Sequence, residues 1–138
     1  MKKYTTILLV IICFSACKSK QNTTNQSIVI TDKTWIAIQL EENAIELTQE
    51  QLPNLTLSEG KVSGFASCNR FHGTYSLDGN KLSFGALAAT KMFCQETNQI
   101  ERDFTSALSQ TQSWEYKGGK LYFLGTDKNV LVVFRLKE

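Results

Sequence analysis

The feature that most limits how this chain can fold is a series of short alternating segments separated by turn dipeptides. Glycine-containing pairs occur at Glu59-Gly60, Asp78-Gly79 and Gly118-Gly119, and they suit tight hairpins because glycine tolerates a positive φ at little cost. Between these pairs apolar residues recur at every second position, which is typical of strands with one buried face. The first such face would carry Ile36, Ile38 and Leu40. The pattern predicts a mainly β, antiparallel fold.

One segment departs from this alternation. Between residues 96 and 111 the apolar side chains follow helical spacing, at Ile100, Phe104, Ala107 and Leu108. Asn98 is a candidate N-cap, because Glu101 follows it three residues later as in a capping box. We therefore expect about eight strands in a small meander that closes into a barrel-like shape. The helix would be inserted after the fifth strand and would cover one opening.

The chain begins like an exported lipoprotein. A basic start precedes the apolar run Ile7–Phe14, which is shorter than the roughly 20 residues of a membrane-spanning helix and is typical of a signal peptide. The next residues, Ser15-Ala16-Cys17, complete a stretch that resembles the bacterial lipobox, with Phe14 where leucine is usual. The resemblance implies a signal peptide over residues 1–16 and a lipid on Cys17, although an ordinary secretory leader is the alternative. Residues 17–32 would form a polar tether, and residues 33–138 the domain.

The net charge of the chain and the identity of the residue after Cys17 indicate which partners and which membrane to expect. The chain carries 15 basic and 13 acidic residues, and loss of Lys2 and Lys3 with the leader would leave equal numbers. A formally neutral domain gives no composition argument for nucleic-acid binding, which needs a basic face, so no nucleic-acid partner is expected. The expected contact with the membrane is the lipid on Cys17. Lys18, rather than a retaining aspartate, follows Cys17, so the outer membrane is favoured over the inner one.

Two cysteines, Cys68 and Cys94, remain in the exported domain, and an oxidising compartment favours a disulfide between them. The stretch around Cys68 also holds Asn69 and His72, the residue types of a thiol hydrolase. However, four residues along a strand span roughly 13 Å, and alternation puts His72 on the solvent face. Zinc would lack a fourth ligand. We expect no catalytic residue, no metal site and no cofactor.

Two stretches resemble the signatures of one family. Gly64–Tyr75 (GFASCNRFHGTY) is similar to the GCNxxxGxY signature of the META/HslJ domain family, formerly a domain of unknown function. Thr90–Cys94 (TKMFC) is similar to its second signature, T-x-M-x-C, and Glu101 and Phe104 fit the E-x-x-F that follows. Ser67 stands where the family usually has glycine, and a positive φ there would suit serine less well. The resemblance covers roughly residues 33–136.

The resemblance implies a compact β-barrel-like fold of lipocalin-like shape with a packed helix, and a Cys68–Cys94 disulfide. No catalytic residues are established for the family. We expect a non-enzymatic envelope protein that supports stress tolerance by binding an envelope protein or a small apolar ligand. One alternative is a pilotin-like chaperone or assembly factor for an outer-membrane or secretion component; another is an uncharacterised hydrolase. Asn69 and Arg70 would form the corner between two strands and are a candidate interaction patch.

A chaperone or a carrier of an apolar ligand would need an apolar groove or a hollow interior. The side chains expected to fill the interior, and so to decide between a solid and a hollow fold, are Ile36, Ile38, Phe71, Tyr75, Val132 and Phe134.

Overall fold

The computed structural model describes residues 28–138 of the chain. The predicted signal peptide, the lipid site Cys17 and most of the predicted tether lie outside the described residues. Within residues 28–138, no helix has the length and apolar character needed to cross a membrane.

Ten strands and one helix make up the described part of the chain. In chain order they are β1 (Thr34–Leu40), β2 (Asn43–Ala44), β3 (Asn54–Ser58), β4 (Lys61–Phe65), β5 (Arg70–Asp78), β6 (Lys81–Phe84), β7 (Ala88–Ala89), α1 (Asn98–Gln110), β8 (Ser113–Lys117), β9 (Lys120–Leu124) and β10 (Val130–Leu136).

The strands form one antiparallel sheet that closes on itself. The strand order runs β10-β9-β8-β6-β5-β4-β3-β1, and β1 pairs again with β10, which gives a ring. The two-residue strands β2 and β7 pair with β1 and β5 respectively. Without these two, eight longer strands remain and α1 follows the fifth of them. The predicted mainly β, antiparallel fold with its inserted helix is confirmed.

The hairpin turns lie at the glycine-containing pairs. Glu59 and Gly60 have φ values of 48° and 75° between β3 and β4, and Gly118 and Gly119 have values of 58° and 78° between β8 and β9. The turn after β5 comes one residue later than predicted, because Asp78 still pairs with Lys81 and the turn residues are Gly79 and Asn80. Left-handed backbone at Glu59, Gly60, Gly79, Gly118 and Gly119 matches the twist of the strands that these turns join.

The face of β1 that packs into the core is not the predicted one. Trp35 and Ala37 are fully buried members of the core cluster, and a bulge after Ala37 brings Leu40 onto the same face. Ile36 is buried outside this cluster and Ile38 is only half-buried. The expectation that Ile36 and Ile38 fill the interior is therefore wrong, because the bulge changes the alternation within the strand.

The packed unit extends upstream of β1. Ile30 is 2% exposed, and its main-chain carbonyl accepts a hydrogen bond from the Trp35 indole N–H at 2.8 Å. This contact satisfies the polar atom of a buried tryptophan and ties the start of the described chain to the core.

Large side chains fill the interior of the ring. Phe104 of α1 lies with its ring centroid 6.0 Å from that of Phe71 and 6.2 Å from that of Phe134, and Phe134 lies 4.7 Å from Phe123. None of these four side chains is more than 2% exposed. The apolar face predicted for α1 is thus the face that packs into the ring, where it occupies the space that a hollow fold would leave for a ligand.

Candidate functional site

The two sequence signatures meet at one corner of the ring. Residues 66–69 connect β4 to β5, and residues 90–94 form a loop between β7 and the segment that leads into α1. Cys68 in the corner and Cys94 in the loop are joined by a disulfide, with Cα atoms 5.8 Å apart. The structure therefore contains the cross-link that both the compartment argument and the family resemblance favoured.

Asn69 is the hydrogen-bonding centre of this corner. Its side chain is 4% exposed. Its Oδ1 accepts from the Met92 main-chain N–H at 2.8 Å and from the Thr90 hydroxyl at 2.7 Å. Its Nδ2 donates to the Met92 carbonyl at 2.9 Å and to the Glu101 carboxylate at 2.9 and 3.1 Å. Both acceptor positions and both donor hydrogens of the amide are in use, so one side chain connects the 90–94 loop to α1.

Ser67, at the position where the resembled family usually has glycine, adopts left-handed backbone. Its φ is 86°, and the residue is buried. The Ser67 hydroxyl donates to the Gln51 carbonyl at 2.6 Å, and the Ser67 carbonyl accepts from the Thr97 hydroxyl at 3.1 Å. These two bonds offset the cost of left-handed backbone at a residue with a Cβ atom.

The predicted capping box at the start of α1 does not form. Asn98 is the first helical residue, and the N-cap is Thr97, which makes no side-chain capping bond. The Thr97 hydroxyl donates to the Ser67 carbonyl, and the Glu101 carboxylate accepts from Asn69 Nδ2. The prediction of Asn98 as N-cap is therefore wrong by one residue, and the Glu101 carboxylate that was expected to close the box makes a tertiary contact with Asn69 instead.

The structure separates the residues that the sequence grouped. Arg70 is exposed whereas its neighbour Asn69 is buried, so only Arg70 of the predicted patch faces solvent. The Arg70 carbonyl accepts from the Thr90 N–H at 3.1 Å, which places Arg70 beside the loop. His72 is exposed on the outer face of β5, while Cys68 is buried in the disulfide. The Cys/His/Asn set is not brought together as a thiol hydrolase would need.

The 90–94 loop also exposes two large apolar side chains that sequence reasoning missed. Met92 is 62% exposed and Phe93 is 77% exposed. We call this pair the apolar tip. The signal in the sequence was a Met-Phe pair directly before a disulfide cysteine, in a stretch without strand or helix periodicity. Two exposed basic residues are close to the tip in the chain or through a hydrogen bond. Lys91 directly precedes Met92, and the Arg70 carbonyl accepts from the N–H of Thr90 at the start of the loop.

Across residues 28–138, no group of three or more histidine, cysteine, aspartate or glutamate side chains is arranged to hold a metal ion. In the same range every buried side-chain nitrogen and oxygen has a hydrogen-bond partner.

Comparison with known proteins gives one family and a set of similar folds. A family model described as META domain matches residues 26–138. A protein from Burkholderia xenovorans, solved by NMR, is 28% identical, with a TM-score of 0.63 over 78% of this chain and 83% of that chain. None of the curated proteins compared with the chain matches it.

Two further solved structures share the fold at lower identity. A second NMR structure is 19% identical, with a TM-score of 0.61 over 78% of this chain and 91% of that one. The crystal structure of a DUF4847 family protein from Bacteroides vulgatus ATCC 8482 is 14% identical, with a TM-score of 0.57 over 78% and 94% of the two chains. At these identities the likeness concerns the fold alone.

Proposed function

The chain belongs to the META domain family, and from that premise we propose that it is a non-enzymatic protein of the cell envelope that supports stress tolerance by binding another protein. In this proposal Cys17 carries a lipid that anchors the chain, and the outer membrane is the favoured site because Lys18 follows the lipidated cysteine. Several acyl chains on one residue suffice for stable anchoring.

The observation that carries the binding function is the apolar tip. Large apolar side chains are usually buried, yet Met92 and Phe93 are mostly exposed at adjacent positions. The loop that bears them is fixed by the Cys68–Cys94 disulfide on one side and by Asn69 on the other. A fixed apolar projection loses little conformational entropy when a partner covers it, and aromatic residues and methionine are enriched at protein interfaces.

The packing of the ring favours a protein partner over a small apolar ligand held inside. Phe71, Phe104, Phe123 and Phe134 occupy the interior with almost no exposure. A ligand pocket in the mouth of a ring of this kind needs open space among inward-facing side chains. Binding through the outer surface requires no rearrangement of the core.

The non-enzymatic part of the proposal is supported by the state of Cys68. Its sulfur is bonded to Cys94, and a disulfide sulfur is not the thiolate that a cysteine hydrolase uses as nucleophile. His72 lies on the outer face of β5. The hydrolase alternative would require reduction of the bond and a change of the β4–β5 corner.

Affinity capture with matched variants tests this function. The tagged full chain is recovered from detergent-solubilised envelopes, and co-purifying proteins are quantified by mass spectrometry. We expect one or more partners to be lost with the M92S/F93S variant and retained with Val29→Ser, because Val29 is a 61% exposed apolar side chain outside the loop. Equal recovery from all three proteins would refute binding through the tip. A secretin subunit among the lost partners would identify the pilotin-like alternative.

A further inference from the structure

A groove lies between α1 and the turn that joins β1 to β2. Its volume is about 240 Å³. The apolar side chains that line it come from the β1–β2 region, α1 and β10, and are Leu40, Ala44, Ile45, Ile100, Ala107 and Leu131. We call this surface the α1–β2 groove. Its lining shares no residue with the disulfide, with Asn69 or with the apolar tip.

The charged side chains that line the groove have a single sign. Glu41 enters from the β1–β2 turn and Asp103 from α1, and the remaining polar lining residues are Asn43, Ser106 and Gln110. Neither lysine nor arginine is among the lining residues from any of these elements. An apolar surface bordered by two carboxylates is complementary to an apolar group accompanied by a cation.

The main chain of Glu41 and the carboxylate of Asp103 are held by hydrogen bonds within the fold. The Glu41 N–H donates to the Leu131 carbonyl at 2.9 Å, and the Glu41 carbonyl accepts from Gln39 Nε2 at 2.7 Å. On the other side, Asp103 Oδ1 accepts from Gln99 Nε2 at 2.7 Å, one turn earlier in α1. Groups that are held in place before binding lose less entropy on binding.

We propose that the α1–β2 groove binds a short segment of a partner protein in which a large apolar side chain lies next to lysine or arginine. The apolar side chain packs on Ile45, Ile100 and Leu131, and the cation pairs with Glu41 and Asp103. The volume is below the roughly 300–1,000 Å³ of small-molecule sites, which suits one side chain better than a whole ligand. This binding does not depend on the apolar tip, and it would make the chain an adaptor with two separate surfaces.

The chain itself contains a segment of the required chemistry, Lys91-Met92-Phe93. A second copy of the chain could therefore place its apolar tip in the groove of the first. Such a contact joins two different surfaces, so it would produce a closed dimer if two molecules exchange tips, and a ring or an open chain of molecules if they do not. A second copy of the chain is therefore the main alternative occupant of the groove. The experiment must distinguish its binding from that of a segment of another protein.

The test is a titration of the purified full chain in detergent micelles, with isotope-labelled isoleucine and leucine methyl groups. The probes are eight-residue peptides with a central phenylalanine flanked by lysines. The same peptide with flanking glutamates and one with a central alanine serve as controls. We expect the lysine–phenylalanine peptide to shift the methyl resonances of Leu40, Ile45, Ile100 and Leu131, and the two control peptides to bind much more weakly.

Matched variants assign the binding to the groove. The E41Q/D103N variant keeps the shape of both side chains and is expected to weaken peptide binding about tenfold, from loss of two partly exposed ion pairs. Glu42→Gln removes a neighbouring exposed carboxylate that does not line the groove and should bind like the wild type. The M92S/F93S variant should also bind the peptide normally. Loss of peptide binding in E41Q/D103N therefore tests the groove, whereas loss of captured partners in M92S/F93S tests the tip.

Three results would overturn the proposal. One is no binding of the lysine–phenylalanine peptide at millimolar concentration. Another is equal binding of the glutamate-flanked peptide, or shifts confined to methyl groups outside the groove. The third is that groove resonances depend on protein concentration without peptide and lose this dependence in M92S/F93S, which would assign the groove to a second copy.

Discussion

Asn69 holds both main-chain hydrogen-bonding groups of Met92, accepting from its N–H at 2.8 Å and donating to its carbonyl at 2.9 Å. This is the pairing that a neighbouring strand would provide, made here by one buried side chain. It fixes the backbone of a residue whose own side chain is 62% exposed. The buried asparagine of one signature therefore determines how the methionine of the other is presented to solvent.

The substitution Asn69→Ala should be among the most damaging in the domain. It leaves Met92 and Glu101 without their hydrogen-bond partner in a mostly buried corner, and each unsatisfied group costs about 1–3 kcal/mol. We expect a loss of about 3 kcal/mol in the free energy of unfolding, measured by urea denaturation. Arg70→Ala, next in the chain but exposed, is the control and should change the value by less than about 0.5 kcal/mol. Equal effects of the two variants would contradict the role of Asn69.

Two substitutions at Ser67 separate backbone strain from hydrogen bonding. Ser67→Gly and Ser67→Ala both remove the hydroxyl that donates to Gln51, but only glycine relieves the cost of a φ of 86°. The alanine variant should therefore be less stable than the glycine variant by about 1 kcal/mol. Thermal or urea denaturation of the two variants side by side gives the difference directly. An alanine variant as stable as the glycine variant would mean that the left-handed backbone is not retained in the protein.

Gly64→Ala tests the close packing between β3, β4 and β5. A Cβ atom at position 64 would lie 2.0 Å from the Asn54 main-chain oxygen and 2.9 Å from the Phe71 ring. Because a main-chain atom cannot move aside without disturbing the strand, we expect a loss of about 3 kcal/mol or more, as for severe overpacking. Gly60→Ala is the comparison: it has open space but a φ of 75°, and should cost only about 1–2 kcal/mol. A smaller loss at position 64 than at position 60 would contradict this packing.

Much of this fold could be predicted from local sequence, and the exceptions have physical causes. Alternation and glycine pairs identified the strands and turns because these depend on neighbouring residues only. The prediction of which face of β1 packs into the core was wrong, because alternation in the sequence does not reveal the bulge after Ala37. The start of α1 was displaced because Thr97 and Glu101 bind residues about 30 positions away. The exposed tip was missed for the same reason, since its backbone is held by Asn69 from another segment.

We expect the disulfide to contribute both to the stability of the domain and to the fixed position of the apolar tip. Cys68 and Cys94 are 26 residues apart, and replacing both by alanine should lower the free energy of unfolding by about 2–4 kcal/mol. The double variant keeps Asn69 and its bonds to Met92, so we expect the domain to fold and the loop to open locally more often. Hydrogen exchange of the main-chain amides at positions 91–94 should therefore speed up more than exchange at Val132 in the core.

The matched measurement is the same exchange experiment on Asn69→Ala with the disulfide intact. A third protein combines Asn69→Ala with both cysteine substitutions. If the disulfide and Asn69 hold the loop independently, the increase in exchange in this protein should equal the sum of the two separate effects. If they act within one network, the combined effect should differ from that sum. Protection at positions 91–94 that is unchanged in the double cysteine variant would show that Asn69 alone fixes the tip. In that case the disulfide would not contribute to holding Phe93 in position for a partner.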